Sequence, residues 1–189
     1  MEFFDVVAAR RSTREFVPEA VPRDVLERAI GAAAAAPSAE NEQPYTFYVT
    51  TGHTRAELGA IIAQTTVYLR DYLQTLGPEG YERSVRWFTS FGDAPVLIAI
   101  AVPDSENQSQ LTNRLVSVGT AIENLLLAVT AQGFGACSVT FSYWVRDELA
   151  KLLGVPSGHS VVSVIAVGRS AENLAPSPEK RDDIALWLD

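Results

Sequence analysis

The sequence holds one cysteine, one methionine and two histidines in 189 residues, and only Lys151 and Lys180 among its fifteen basic residues are lysine. A single Cys137 excludes an internal disulfide, and His53 and His159 lie too far apart for a Cys/His group of zinc-ligand spacing. Positive charge is also in deficit. Fifteen Lys plus Arg against 23 Asp plus Glu leave a net charge of −8, a field that repels phosphodiester backbones and argues against general nucleic-acid binding. Long apolar runs are missing: the longest, residues 95–103, is too short to span a bilayer. Glu2, Asp5, Arg10, Arg11, Arg14 and Glu15 interrupt any signal-peptide core. The expectation is a soluble cytoplasmic protein with no membrane or nucleic-acid partner.

What is present is 47% apolar residue content on a chain long enough to bury roughly 70% of its unfolded surface, so one domain over residues 1–189 is expected. The patterning predicts helices at residues 2–9 and 22–36, the second with Pro22 in a first turn and Pro37 as its stop. A polar loop follows at 38–44, then a β-branched and aromatic strand at 46–51. Residues 54–76 read as a helix with a break, and 77–92 as a turn-rich segment carrying Tyr81, Trp87, Phe88 and Phe91. A buried strand is expected at 96–102 and the longest helix at 111–132, with Leu115, Val118, Ile122, Leu125 and Val129 on one face. Residues 125–129 are apolar at every position, which requires cover on more than one side. Strands at 136–141 and 161–167 flank a helix at 145–153, before a proline-containing tail. The alternation suggests a three-layer arrangement and leaves parallel and antiparallel pairing open.

Three guanidinium groups stand within five residues of this acidic chain, at Arg10, Arg11 and Arg14 around Ser12 and Thr13. Like charges so close repel unless an anion is shared, and the planar Arg fork suits phosphate oxygens. A solvated helix end explains the same cluster by its dipole. The 37–45 loop concentrates Ser38, Asn41 and Gln43 between two prolines, groups that read a heterocycle edge and that also furnish ordinary turns. Glu40 and Glu42 form a possible acid/base pair, or two solvated carboxylates. The glycines of residues 133–138 follow a helix and precede a strand, the reverse of the dinucleotide fingerprint, and Cys137 sits in an apolar strand away from any histidine.

Taken in order, RRSTREF at 10–16, VP at 21–22 and APSAENEQPY at 36–45 resemble the nitroreductase family of FMN-dependent enzymes. GTAIENLLLAVTAQGFG at 119–135, ACSVTF at 136–141, LLGVP at 152–156 and VIAVGR at 164–169 extend the likeness over nearly the whole chain, with a weak match at 55–93. The resemblance implies an α+β fold, a mixed sheet flanked by helices, and an intertwined homodimer with FMN at the interface. It assigns Arg10, Arg11, Ser12 and Arg14, with Lys180 or Arg181 from the tail, to the phosphate side. Pro37, Ser38, Asn41 and Gln43 match the loop that reaches the flavin from the other subunit. Ser138, Thr140 and Phe141 match the strand beside the ring, with an amide of Thr140 or Phe141 facing flavin N5.

On this pattern hydride passes from NADH or NADPH through flavin N5 to a nitroaromatic, quinone or similar flat acceptor, and no catalytic side chain or metal is required. Three positions depart from the family: Tyr45 in place of a frequent Trp, Glu40 in place of a small residue, and Phe141 where many members have Gly. Two other readings stay open. One is a non-catalytic flavin or anionic-ligand binder, a sensor or carrier, on the same fold. The other is an interaction domain whose N-terminal arginines pair with acids of a partner subunit.

Overall fold

The computed structural model describes residues 2–171, 181 and 183–188. Its centre is a four-stranded sheet in the order β1-β2-β4-β3, formed by β1 (Thr46–Thr50), β2 (Val96–Pro103), β3 (Gly135–Val139) and β4 (His159–Gly168). All three strand pairings are antiparallel. Among the described residues, the parallel component of the mixed sheet implied by the resemblance is one isolated bridge, Ser12 to Ala136.

Alternation along the strands builds two cores, because successive side chains leave a strand on opposite faces. Val96, Ile98, Ile100, Val102, Ile165 and Val167 pack under α2 (Arg23–Ala34) and α6 (Gln108–Ala131). Leu97, Ala99, Ala101, Val164 and Ala166 pack under α3 (Gly52–Ala63), α5 (Gly77–Ser90) and α7 (Arg146–Leu153). This is the three-layer arrangement the alternation suggested. A register shift between Ile100 and Ala101 leaves Val162 unpaired, so Val161 and Val164, three apart, face the same core.

Most elements fall where the pattern places them. The break expected within 54–76 is a 3-10 turn, Gln64–Val67, ahead of the short α4 (Arg70–Gln74). Residues 77–92 differ: α5 is helical to Ser90, since Pro78 stands in its first turn, where the missing N–H costs nothing. Tertiary burial of Phe88 and Phe91 decides the segment. Leu115, expected on the buried face of α6, is exposed, and Leu127 and Ala128 are only half-buried. Among the described residues α6 is also the one helix long and apolar enough to cross a membrane by length and composition. It is nonetheless a packed element, with Val118, Ala121, Leu125 and Val129 against α2 and the sheet.

Candidate functional site

The first helix, α1 (Phe3–Ala9), is short and ends at Arg10, so its last carbonyls face the arginine-bearing segment. Arg11 donates through Nη1 to the carbonyls of Ala8 and Arg10 at 2.6 and 2.7 Å. Arg10 pairs with Glu123 of α6 at 3.0 Å, both partly exposed. Arg14 donates to the Ser12 carbonyl at 3.4 Å. One group stands out: Arg11 Nε is buried with no hydrogen-bond partner. A buried cationic N–H left without an acceptor is costly, and an anion is one group that would satisfy it.

This segment is seated by backbone contact. Thr13 is buried and donates its N–H to the Ala136 carbonyl at 3.0 Å, fastening the arginines to the start of β3. A Cβ on Gly135 would lie 2.7 Å from Thr13 Cβ, so only glycine admits that approach. On the other side Phe16 donates to the Gly92 carbonyl at 2.8 Å. Gly92 has φ +58°, and a Cβ there would overlap the Arg14 carbonyl. Phe16 itself is buried, and residues 15–17 pair with 169–171 along the end of β4.

The 37–45 loop is built differently. Glu40, Asn41 and Gln43 all have positive φ (54°, 55° and 47°), a strained run for non-glycine residues. Hydrogen bonds hold it: Gln43 N–H to Ser38 Oγ at 3.0 Å, Gln43 Nε2 to Asn41 Oδ1 at 2.9 Å, and Thr120 Oγ1 to the Pro37 carbonyl at 3.1 Å. Glu42 accepts from the buried Arg114 of α6 at 2.6 Å, so it is a structural anchor and not a free acid. Glu40 is exposed. A polar cleft of about 480 Å³ opens beside Glu40, Glu42, Asn107 and Gln110, whose carboxylates do not suit an anion. Burial raises the pKa of the Tyr45 phenol, whose hydroxyl lies 3.5 Å from the Ala33 carbonyl.

At the far end of β3, Ser138 Oγ shares a hydrogen bond with Ser163 Oγ at 2.9 Å and lies between the two strands. The expected strand to 141 is shorter: Thr140 follows the end of β3 and is exposed, and Phe141 opens a 3-10 turn through Val145. The Phe141 ring packs edge-on against Phe88 at 5.0 Å, and Trp144 stacks between Phe141 and the exposed Tyr68.

The fold therefore joins Arg10, Arg11, Ser12 and Arg14 to one end of β3 and sets Ser138, Thr140 and Phe141 at the other, about 13 Å along the strand from Ala136 to Thr140 at 3.3 Å per residue. Pro37, Ser38, Asn41 and Gln43 form a separate loop over α6. Arg181 pairs with Asp183 at 2.8 Å, and Lys180 lies outside the described residues. The sequence reading missed Arg114 and Arg55. An arginine inside the apolar pattern of α6 was a signal for Arg114. For Arg55, half-buried on α3, there was none: it donates to the carbonyls of Ala94 and Ser90 in a turn 35 or more residues away. Burial lowers its pKa, with Asp93 acting the other way.

A model of the Nitroreductase family matches residues 7–169. The chain is 29% identical over 204 residues to the iodotyrosine deiodinase of Haliscomenobacter hydrossis, covering 99% of this chain and 88% of that protein. It is 25% identical to a 4-nitrobenzoate reductase from Nocardioides, covering 89% of this chain and 81% of that one. The crystal structure of an FMN-dependent nitroreductase from Mycobacterium smegmatis in complex with NADPH superposes with a TM-score of 0.81 at 18% identity, covering 98% and 97% of the two chains. A nitroreductase with bound FMN from Desulfitobacterium hafniense superposes with a TM-score of 0.77 at 23% identity, covering 100% and 99%. At these identities the superpositions establish the fold.

Proposed function

The chain belongs to the nitroreductase family of flavoprotein oxidoreductases, and from that premise we propose that it uses FMN to pass hydride from NADH or NADPH to a nitroaromatic, quinone or similarly flat acceptor. The observation that carries this reading is the buried, unpartnered Arg11 Nε within a guanidinium cluster fastened to β3. The donor set fits a phosphate. Arg10, Arg11 and Arg14 supply forked N–H groups and Ser12 a hydroxyl, so these residues would hold the FMN phosphate.

FMN, when bound, supplies the hydride relay between nicotinamide and acceptor. The protein's part is to bind and orient. A backbone N–H of Thr140 or Phe141, at the opposite end of β3, would face flavin N5. Pro37, Ser38, Asn41 and Gln43 would cover the ring from a second copy, on a loop whose backbone is set by Ser38, Thr120 and Arg114. Exposed apolar side chains support that homodimer: Val116 on α6 (62% exposed), Phe4 on α1 (81%) and Trp187 (91%) would be left in water in a monomer. At the phosphate, Lys180 or Arg181 would join the N-terminal arginines from the tail, where Arg181 makes an exposed pair with Asp183, as Arg10 makes a partly exposed one with Glu123.

A second reading keeps the cofactor and changes the acceptor to a halogenated aromatic, and the similarity to iodotyrosine deiodinase over 99% of this chain favours it. One experiment tests both. The purified protein should be yellow, should bleach on NADPH or NADH without air, and should recolour when 4-nitrobenzoate or iodotyrosine is added. Colour without bleaching identifies a carrier in place of an enzyme. Failure to take up FMN on incubation overturns the proposal.

A further inference from the structure

Three consecutive residues, Phe91, Gly92 and Asp93, have φ of +52°, +58° and +63°. Two of them are not glycine, and a left-handed run of this kind persists only where its surroundings enforce it. The ends of the run are bridged by one side chain. Arg55 of α3 donates through Nη2 to the Ser90 carbonyl at 2.5 Å, the last residue of α5, and through Nε to the Ala94 carbonyl at 2.7 Å, just beyond the turn. Ser90 Oγ adds a bond from Gly92 N–H at 3.2 Å.

The turn so held is the wall of the guanidinium loop. A Cβ on Gly92 would come within 2.7 Å of the Arg14 carbonyl carbon and 3.1 Å of Glu15 Cα, while the Gly92 carbonyl accepts from Phe16 N–H at 2.8 Å. Backbone packed this closely transmits displacement, because no side chain lies between the two segments to absorb it. The residue before Glu15 carries one of the three guanidinium groups. We propose that Arg55 is a positioning residue for the anion grip: by clamping the Ser90 and Ala94 carbonyls it fixes the 91–93 turn, which in turn fixes the backbone from Arg14 to Phe16. Arg55 touches no ligand itself. The inference rests on the reading of the 10–14 segment as the FMN phosphate site, and it names a determinant of that site's preference for a phosphorylated flavin.

The test compares affinity for FMN with affinity for riboflavin, which has the same ring and no phosphate, by fluorescence quenching on the full chain freed of bound flavin. Wild type should prefer FMN. Arg55→Met should reduce that preference about tenfold, the scale of one charge-assisted bond, with riboflavin affinity unchanged. Arg55→Lys, which keeps the charge and reaches one carbonyl, should fall between the two. Leu26→Ala, a core truncation under α2 on the other face of the sheet, should lower thermal stability and leave the ratio intact. A wild-type ratio in Arg55→Met, or parallel loss of both flavins, overturns the inference. Should Arg55→Met not fold, an unchanged ratio in Arg55→Lys overturns it. A wild type without preference for FMN overturns the phosphate reading instead.

Discussion

Arg114 and Glu42, 72 residues apart, form a bond pair in which Nε and Nη2 of a buried guanidinium reach one carboxylate oxygen at 2.9 and 2.6 Å. The third nitrogen, Nη1, donates to the carbonyls of Pro103 and Asp104 at 3.3 and 3.0 Å. One side chain thereby ties the exit of β2, the body of α6 and the strained 37–45 loop together. The loop's left-handed residues flank Glu42 on both sides, so the pair sits where backbone strain has to be offset.

Arg114→Met should therefore lower stability by about 2 to 3 kcal/mol, less than the full cost of breaking a buried pair because Glu42 retains water access. The urea midpoint measures it. Glu42→Gln, which keeps an acceptor oxygen for the guanidinium, should cost less. Equal midpoints for Arg114→Met and wild type would remove the pair as an anchor.

Loss of a phosphate contact has a different signature. Arg11→Ala and Arg14→Ala should each weaken FMN retention by about 1.5 to 3 kcal/mol, roughly ten- to a hundredfold, read by equilibrium dialysis. Undiminished retention would take the residue out of the site.

Gly92→Ala combines a positive φ with overlap of the Arg14 carbonyl and should cost at least about 3 kcal/mol. Gly31→Ala is the counterpart: it lies inside α2 with nothing near its Cβ, and should stabilise by about 0.5 to 1 kcal/mol. Thermal melts of the two variants should move in opposite directions.

Burial raises the Tyr45 phenol pKa in the folded state, so its contribution to stability is complete below about pH 10, the unfolded value, and is lost as pH climbs toward the folded one. Tyr45→Phe should flatten the alkaline fall in melting temperature relative to wild type. Identical slopes would contradict the assignment.

Val116→Asp places a charge on the exposed apolar face of α6. Sedimentation should show wild type at twice the 20.5 kDa of one chain and the variant shifted toward the single-chain mass. A wild type that sediments as a monomer would remove the second copy from the site.

Much of the fold was legible because strand and helix periods are written locally. Val96 to Val102 announce a buried strand, and Leu125 and Val129 a core helix. Residues 77–90 were not, since Gly77, Pro78 and Gly80 carry turn chemistry, and the helix forms on account of Phe88 meeting a core built from distant strands. The candidate site divides the same way. The arginines at 10–14 and the 37–45 loop are contiguous motifs, visible before any folding. Arg55 acts on carbonyls, which every residue carries, so no side-chain pattern could name its partners.

Composition and local order by themselves determined an acidic chain with too few cysteines for an internal disulfide, most of its helices and strands, and the crowded guanidinium groups. Tertiary structure alone decided the antiparallel sheet order, the burial of Arg11 Nε without an acceptor and the turn pressed against Arg14. The reason is range: propensity and periodicity act over a few neighbouring residues, whereas burial and hydrogen-bond satisfaction depend on which remote segments the folded chain brings into contact.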